Sequence, residues 1–255
     1  MKIGSPKVAT PTRYFIQKFK KTVVKNSFID IIRNKVRKFL GGKIVMVKKV
    51  AILANGGDVS GFNAVIRAIV KTAESHNVEC YGFIDGYRGL LKNDYVKLSS
   101  TDKASGILQK GGSIISSSTN ANVFHYKVVD ENGNVQYKDL SDKCVENVKE
   151  DGFDCVFTLG GDSTQKSARD LSLKGIKVIG VPKTIDNDVA CTDITFGYNT
   201  AVSVATEALD RLHTTAETHN RIMVLEVMGR EARMDSIRIS NSRRSRCSIN
   251  SRNSI

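Results

Sequence analysis

The sequence has no cysteine pair at CxxC spacing, and its five cysteines, at 80, 144, 155, 191 and 247, are an odd number. That argues against a disulfide framework or a cysteine zinc site and leaves reduced thiols as the default, as in the cytoplasm. No apolar run approaches the roughly 18 residues of a membrane span, so no membrane partner is expected. No glycine turn closes on Gly-Lys-Ser/Thr, so a Walker A phosphate loop is missing. No internal repeat is visible.

Acidic residues are nearly absent from one stretch only. Residues 1–45 hold 12 Lys or Arg and a single acid, Asp30, for a charge of +11. Residues 231–255 hold 6 Arg and 2 acids, for +4. The whole chain carries +13, so the body between them carries −2. The basic character belongs to the flanks, and a nucleic-acid partner loses its main support. Residues 1–45 read as a basic extension without a clear cap or turn plan, open to three readings: a targeting segment, a basic surface helix, or translation from upstream of the true start.

Between the flanks the pattern is strand, turn, helix, repeated. The continuous apolar run Val50 to Ala54 predicts a buried parallel strand. Gly56 to Gly61 predicts a turn, and Asn63 to Ser75 a helix with Ala64, Ile66, Ile69 and Val70 on its apolar face. Further strands are expected at Glu79–Ile84, Cys155–Leu159, Lys177–Val181 and Arg221–Val227. Helical segments are expected at 105–110, 140–149, 165–173 and 200–215, the last capped by Asn199 and carrying Val204, Ala208 and Leu212 on one face. Glu131-Asn132-Gly133-Asn134 reads as a hairpin turn. The sum is an α/β fold, a doubly wound parallel sheet in three layers.

Three strand ends finish in small or acidic turns: Gly56-Gly57-Asp58, Gly160-Gly161-Asp162-Ser163-Thr164, and Pro182-Lys183-Thr184-Ile185-Asp186-Asn187-Asp188. Asp and Asn are ordinary turn residues, so any one of these could be a solvated turn. Pro182 is expected to stop its strand and spill the acidic run into a loop. The carboxyl ends of parallel strands are where such sheets bind ligands. Glycine lets backbone N–H groups approach phosphate, and a carboxylate suits magnesium.

The strings NGGDVSGFNAVIR, GFIDGYRGL, GGDSTQKSA, VPKTIDND, TDITFGYNTAV and RIMVLEVMGR occur in this order. Together they resemble the phosphofructokinase family over roughly 48–232. A lone Gly-Gly-Asp also occurs in lipid and NAD kinases; the three-part combination is specific. The resemblance implies a nucleotide-binding α/β domain at 46–198 and the start of a substrate-binding domain at 199–232, the second domain being incomplete. It implies phosphoryl transfer from ATP to the C1 hydroxyl of fructose 6-phosphate in a homo-oligomer. The alternatives are a pyrophosphate-dependent enzyme and, of another class, an inactive truncated fragment.

Residue by residue, the resemblance implies catalytic roles for Asp186, as general base, and Lys183. It implies a nucleotide site of Gly57, Tyr87, Gly161, Asp162, Ser163 and Thr164, with Asp162 holding Mg²⁺. Substrate contacts are implied for Thr184, Ile185, Asp186, Asp188, Arg221, Met228, Gly229 and Arg230. Ser163 stands where the family reads its donor: Gly there goes with ATP, and Asp with pyrophosphate. Lys183 stands where many ATP enzymes have Gly, but GGDSTQK looks most like ATP users that share PKTIDND, so ATP is favoured.

Two departures stand out. Where the family has GGTxLGSxR, this chain has Gly111-Gly112-Ser113-Ile114-Ile115-Ser116-Ser117-Ser118-Thr119, so a donor-phosphate arginine is replaced by Thr119. Met46 opens MVKKVAILANGGD, as bacterial members open, which favours the upstream-translation reading of residues 1–45. Residues 233–255 are rich in Ser and Arg without periodicity. With chosen codons and one base dropped at Arg233, they can be read as GWIALGSAIAGGADVALIPEIP, the family's continuation. An out-of-frame tail from a single-base change near codon 233 is therefore expected.

Overall fold

The computed structural model describes residues 47–119, 121–130, 133–228 and 247–251. Among them, a six-stranded sheet runs in the order β3 (Tyr95–Leu98), β2 (Glu79–Phe83), β1 (Lys49–Ala54), β6 (Cys155–Gly160), β7 (Val178–Thr184), β8 (Phe196–Gly197). Every neighbouring pair is parallel except β2–β3. The sheet is thus mixed at one edge, where the expectation was wholly parallel. The six-residue helix α2 (Tyr87–Lys92) turns the chain back after β2 and so delivers β3 antiparallel.

Helix α1 (Phe62–Ser75) makes the crossover from β1 to β2, and α4 (Asp162–Leu173) the one from β6 to β7. Between β3 and β6 lie a 3₁₀ turn (Ile107–Gln109), the hairpin β4 (Tyr126–Val129) and β5 (Val135–Lys138), and helix α3 (Ser141–Glu150). Strand order moves outward in opposite directions from β1 and β6, so the winding reverses between them. That is the switch point of a doubly wound sheet, where a crevice opens beyond the strand ends.

The core follows from β alternation. Ala51, Leu53, Phe83 and Val156 share one face with Tyr87, Leu90, Cys144, Val145, Val148 and Leu171 from α2, α3 and α4. Residues 50–54 are all buried, as two covered faces require. On α1 the buried stripe is Phe62, Val65, Ile66, Ile69 and Val70; Ala64, expected inside, is only partly covered. Under the β2–β3 edge, Tyr81, Phe83, Tyr95 and Phe153 pack edge to face with centroids 5.3–5.7 Å apart. Lys49 Nζ lies 4.4 Å from the Phe153 centroid and donates to the Asp151 carbonyl at 2.8 Å.

Three local expectations are corrected. Pro182 does not stop β7, which continues to Thr184. Val156 takes the carbonyl of Lys177, and parallel pairing uses alternate residues. The Pro182 nitrogen therefore faces away from β6, and β8 pairs only with Lys183 and Thr184. No ladder bond is lost to the ring. Second, α5 (Tyr198–His219) is capped by Gly197, with φ 98°, and not by Asn199. Gly61 and Gly197 both have positive φ, and a Cβ on Gly61 would lie 2.9 Å from the Gly197 nitrogen. Only glycines let the starts of α1 and α5 meet this closely. Third, the buried residues of α5 are Tyr198, Leu209 and Ala216, while Val204 is exposed.

Strand β9 (Met223–Val227) pairs in parallel with β10 (Cys247–Ser251). The sequence reading expected no element at 247–251. Residues 1–46 lie outside the described residues, as do 229–246. Among the described residues no helix is long and apolar enough to cross a membrane.

Candidate active site

The β1 end is tied to both neighbours. Asn55 N–H donates to the Leu159 carbonyl at 2.9 Å, holding β1 against β6. Gly56 N–H donates to the Ser118 carbonyl at 2.9 Å, and the Ser117 hydroxyl to the Gly56 carbonyl at 2.6 Å. The 113–119 loop is thereby lashed beside the Gly56-Gly57 turn. A Cβ on Gly57 would lie 3.2 Å from Thr119 Cγ2. The residue that departs from the family pattern thus borders the first phosphate-type turn, and it brings no charge there.

At the β6 end, α4 begins at Asp162, three residues before the predicted start. Its free N–H groups and positive dipole end therefore meet the crevice, an arrangement suited to anions. Gly160 is packed tight, since a Cβ there would lie 2.4 Å from both the Asn55 carbonyl and Thr164 Oγ1. Gly161 is roomier, its nearest neighbour being Thr184 at 3.5 Å. The Asp162 carboxylate is half-exposed and pairs with Lys166 at 2.6 Å. Ser163 is exposed.

Two of the predicted nucleotide residues lie beneath this turn and do not line it. Thr164 is buried, with its hydroxyl 3.3 Å from the Asn55 carbonyl. Tyr87 is 1% exposed and donates its hydroxyl to the Thr164 carbonyl at 2.9 Å; burial pushes its phenol well above the ordinary value. Both support the turn from the core side.

At the β7 end, Thr184 Oγ1 accepts the Asp186 N–H at 3.2 Å and lies 3.4 Å from Oδ2 of both Asp58 and Asp186. Asn187, with φ 52°, accepts the Thr195 N–H at 2.9 Å, and the Thr195 hydroxyl donates to the Thr184 carbonyl at 2.7 Å. The acidic loop is thus folded back onto the strand by its own side chains. Ile185 and Asp186 are half-buried and Asp188 exposed. Lys183 is buried: its ammonium donates to the Asp58 carbonyl and lies 4.0 Å from the Phe62 ring centroid. Burial lowers it to about 8, against the opposing pull of Asp58 and Asp186.

Gly57, Gly161, Asp162, Lys183, Thr184 and Asp186 therefore come together at the switch point. Arg221, exposed beyond the C-terminus of α5, and Met228, exposed beyond β9, stand outside that cluster. Gly229 and Arg230 lie outside the described residues. The sequence reading missed Asp58 as a site residue, although it closes the first turn it singled out. It also missed Gln165, whose amide donates to the carbonyls of Val181 at 3.0 Å, Gly160 at 3.1 Å and Thr158 at 3.3 Å. That amide fills the space left by Gly180, where a Cβ would lie 2.2 Å from Gln165 Oε1. Gln165 bridges the ends of β6 and β7 and holds the crevice walls in register.

The chain is thus an α/β protein with a mixed, doubly wound sheet and glycine and acidic turns at its switch point. The family model for phosphofructokinase matches residues 49–234, and the chain belongs to that family. It is 59% identical over 187 residues to ATP-dependent 6-phosphofructokinase 2 of Clostridium perfringens, covering 73% of this chain and 51% of that one. It is 48% identical over 183 residues to ATP-dependent 6-phosphofructokinase 3 of Streptomyces coelicolor, covering 71% and 50%. Among solved structures, phosphofructokinase from Saccharomyces cerevisiae matches with a TM-score of 0.64 at 23% identity, over 80% of this chain and 33% of that one. Pyrophosphate-dependent phosphofructokinase from Marinobacter aquaeolei matches with a TM-score of 0.62 at 24% identity, over 78% and 50%. These two show the fold. The chain spans about half the length of the curated relatives it matches.

Proposed function

We infer that this chain carries the catalytic strand ends of an ATP-dependent 6-phosphofructokinase. The observation that carries the reading is Asp186, fixed by Thr184 at the end of β7, beside the Gly161-Asp162 turn that abuts Thr184. In this reaction Asp186 accepts the proton of the C1 hydroxyl of fructose 6-phosphate. That oxygen bonds to the γ-phosphorus while the bond to the β–γ bridging oxygen breaks, and ADP leaves with the electron pair. The glycine turns and the start of α4 hold the donor phosphates and keep the reacting atoms in line.

Asp162 fits magnesium: a half-exposed carboxylate at the crevice, with phosphate oxygens to complete the shell. Bound there, Mg²⁺ would offset charge on the donor oxygens. Among the described residues no three His, Cys, Asp or Glu side chains gather as an all-protein cage, which suits a metal shared with substrate. ATP is supported as donor by the relatives, which are ATP-dependent 6-phosphofructokinases, and by Ser163, small, neutral and exposed. We assign sugar contacts to the acidic loop and, on the family resemblance alone, to Arg221, Met228, Gly229 and Arg230. We read the functional form as a homo-oligomer in the cytoplasm.

The test is fructose 1,6-bisphosphate formation from fructose 6-phosphate and MgATP. It is run on this chain and on a chimera in which residues 49–228 replace the matching stretch of the Clostridium perfringens relative. Turnover by the chimera, reduced at least about 10³-fold by Asp186→Asn, is expected. No product from either protein, or an unaffected Asp186→Asn variant, overturns the reading.

A further inference from the structure

We propose that Asp58 is a positioning residue for Asp186, held in place by Lys183. The inference rests on the phosphofructokinase reading of this site. Asp58 touches both sides of β7 at its end. Its backbone carbonyl receives the Lys183 ammonium on the side of α1, where that ammonium also sits over the Phe62 ring. Its carboxylate meets the Thr184 hydroxyl, on the side of the Gly161 turn. Successive strand residues point to opposite faces, so Lys183 and Thr184 grip Asp58 from the two faces of one strand.

Thr184 then transmits the constraint. Its hydroxyl has one proton, offered to two carboxylates at 3.4 Å each, and a lone pair taken by the Asp186 N–H at 3.2 Å. Asp58 and Asp186 thus share one hydroxyl, and the Asp58 carboxylate limits how Thr184 can rotate. When Thr184 is fixed, the Asp186 backbone is fixed, and with it the approach of its carboxylate to the reacting hydroxyl. Lys183, 1% exposed, is spent on this grip within the protein. An aromatic face and a carbonyl partly offset the cost of burying the ammonium, and it anchors the turn without facing the crevice.

The test compares Asp58→Ala, Asp58→Asn and Lys183→Met in the full chain and in the chimera described above. Asn can still accept the Thr184 proton, and Met keeps an unbranched stem over Phe62 while losing the donor. For Asp58→Ala, kcat should fall about 10–100-fold, with KM for ATP and fructose 6-phosphate within about 3-fold, because small misplacements act on the chemical step. Asp58→Asn should recover most of that loss. In the Asp186→Asn background, Asp58→Ala should cost less than about 2-fold, since a residue acting through Asp186 has nothing left to position.

A tenfold change in KM for ATP with kcat retained would make Asp58 a donor contact and overturn the proposal, as would fully additive losses. Amide hydrogen exchange of residues 184–188 provides a readout independent of turnover. Faster exchange in Asp58→Ala and Lys183→Met, restored in Asp58→Asn, supports the proposal even where wild type forms no product and only the assigned reaction fails. Exchange unchanged in all three variants overturns it.

Discussion

The ammonium of Lys183 lies 4.0 Å from the centroid of the Phe62 ring, so a strand-end cation of the sheet rests on the first turn of the helix that crosses it. This contact joins β7 to the β1–α1 connection across 121 residues of sequence, at the point where the candidate site is built.

Burial makes that charge a pH-dependent element. The Lys183 ammonium is held at about 8 in the folded chain, against an ordinary 10.5. Below about pH 8 both folded and unfolded chains are protonated, and the folded chain carries the cost of the buried charge. Between those two values the unfolded chain binds more protons, so this contribution moves toward folding as pH rises. Urea titrations of wild type and Lys183→Met at pH 7 and pH 10 should show the gap shifting toward wild type by up to about 3 kcal/mol. A gap that stays constant would contradict the buried placement.

The two adjacent glycines at the β6 end should respond differently to alanine. At Gly160 the new methyl would meet backbone and Thr164 atoms at 2.4 Å, and neither can retreat. Gly160→Ala should cost about 2–4 kcal/mol of stability, or prevent folding. At Gly161 the nearest atom is 3.5 Å away, and Gly161→Ala should stay within about 1 kcal/mol. Equal denaturation midpoints for the two variants would refute the packing described.

Tyr87→Phe isolates one buried hydrogen bond. It leaves the Thr164 carbonyl without its 2.9 Å donor in a site closed to water. The expected loss is about 1–2 kcal/mol. Tyr81→Phe removes an exposed 3.3 Å contact to Glu79 and should change stability by less than about 0.5 kcal/mol. Thermal unfolding of the pair decides whether Tyr87 supports the turn from beneath.

Donor choice is tested at Ser163, exposed in the first turn of α4. In the chimera, Ser163→Asp adds a carboxylate where the ATP α-phosphate would approach, and at about 4–6 Å two like charges repel by a few kcal/mol. The ratio of kcat/KM for ATP to that for pyrophosphate should fall at least about tenfold. A ratio that does not move would remove Ser163 from donor reading.

The centre of the sheet was legible because β1 and β6 are buried on both faces. Val50 to Ala54 and Cys155 to Leu159 read as unbroken apolar runs, and that signal survives any detail of packing. The glycine and acidic turns were legible for the opposite reason, being too polar or too small for a core. What escaped depends on partners distant in sequence. Pro182 continues a strand because the neighbour on its nitrogen side starts one residue later. The covered face of α5 is set by what lies against it, and Val204, although on an apolar stripe, faces outward. Asp58 was visible as a letter in NGGD, but its grip on Lys183 and Thr184 crosses more than 120 positions.

The placement of β1 between β2 and β6 has a consequence for the birth of the molecule. In register, Val50 faces Cys80 on one side and Cys155 on the other, and the Lys48 and Lys49 amides wait for the carboxylate of Asp154. Ribosomes add about 5–20 residues per second. The β1–β2 pair therefore spends on the order of 4–15 s with its inner edge unfilled before β6 emerges. A bare apolar edge is a template for foreign strands. The same seam that later opens as the ligand crevice is thus the part of the nascent chain most in need of chaperone cover, and the site it forms is among the last features to assemble.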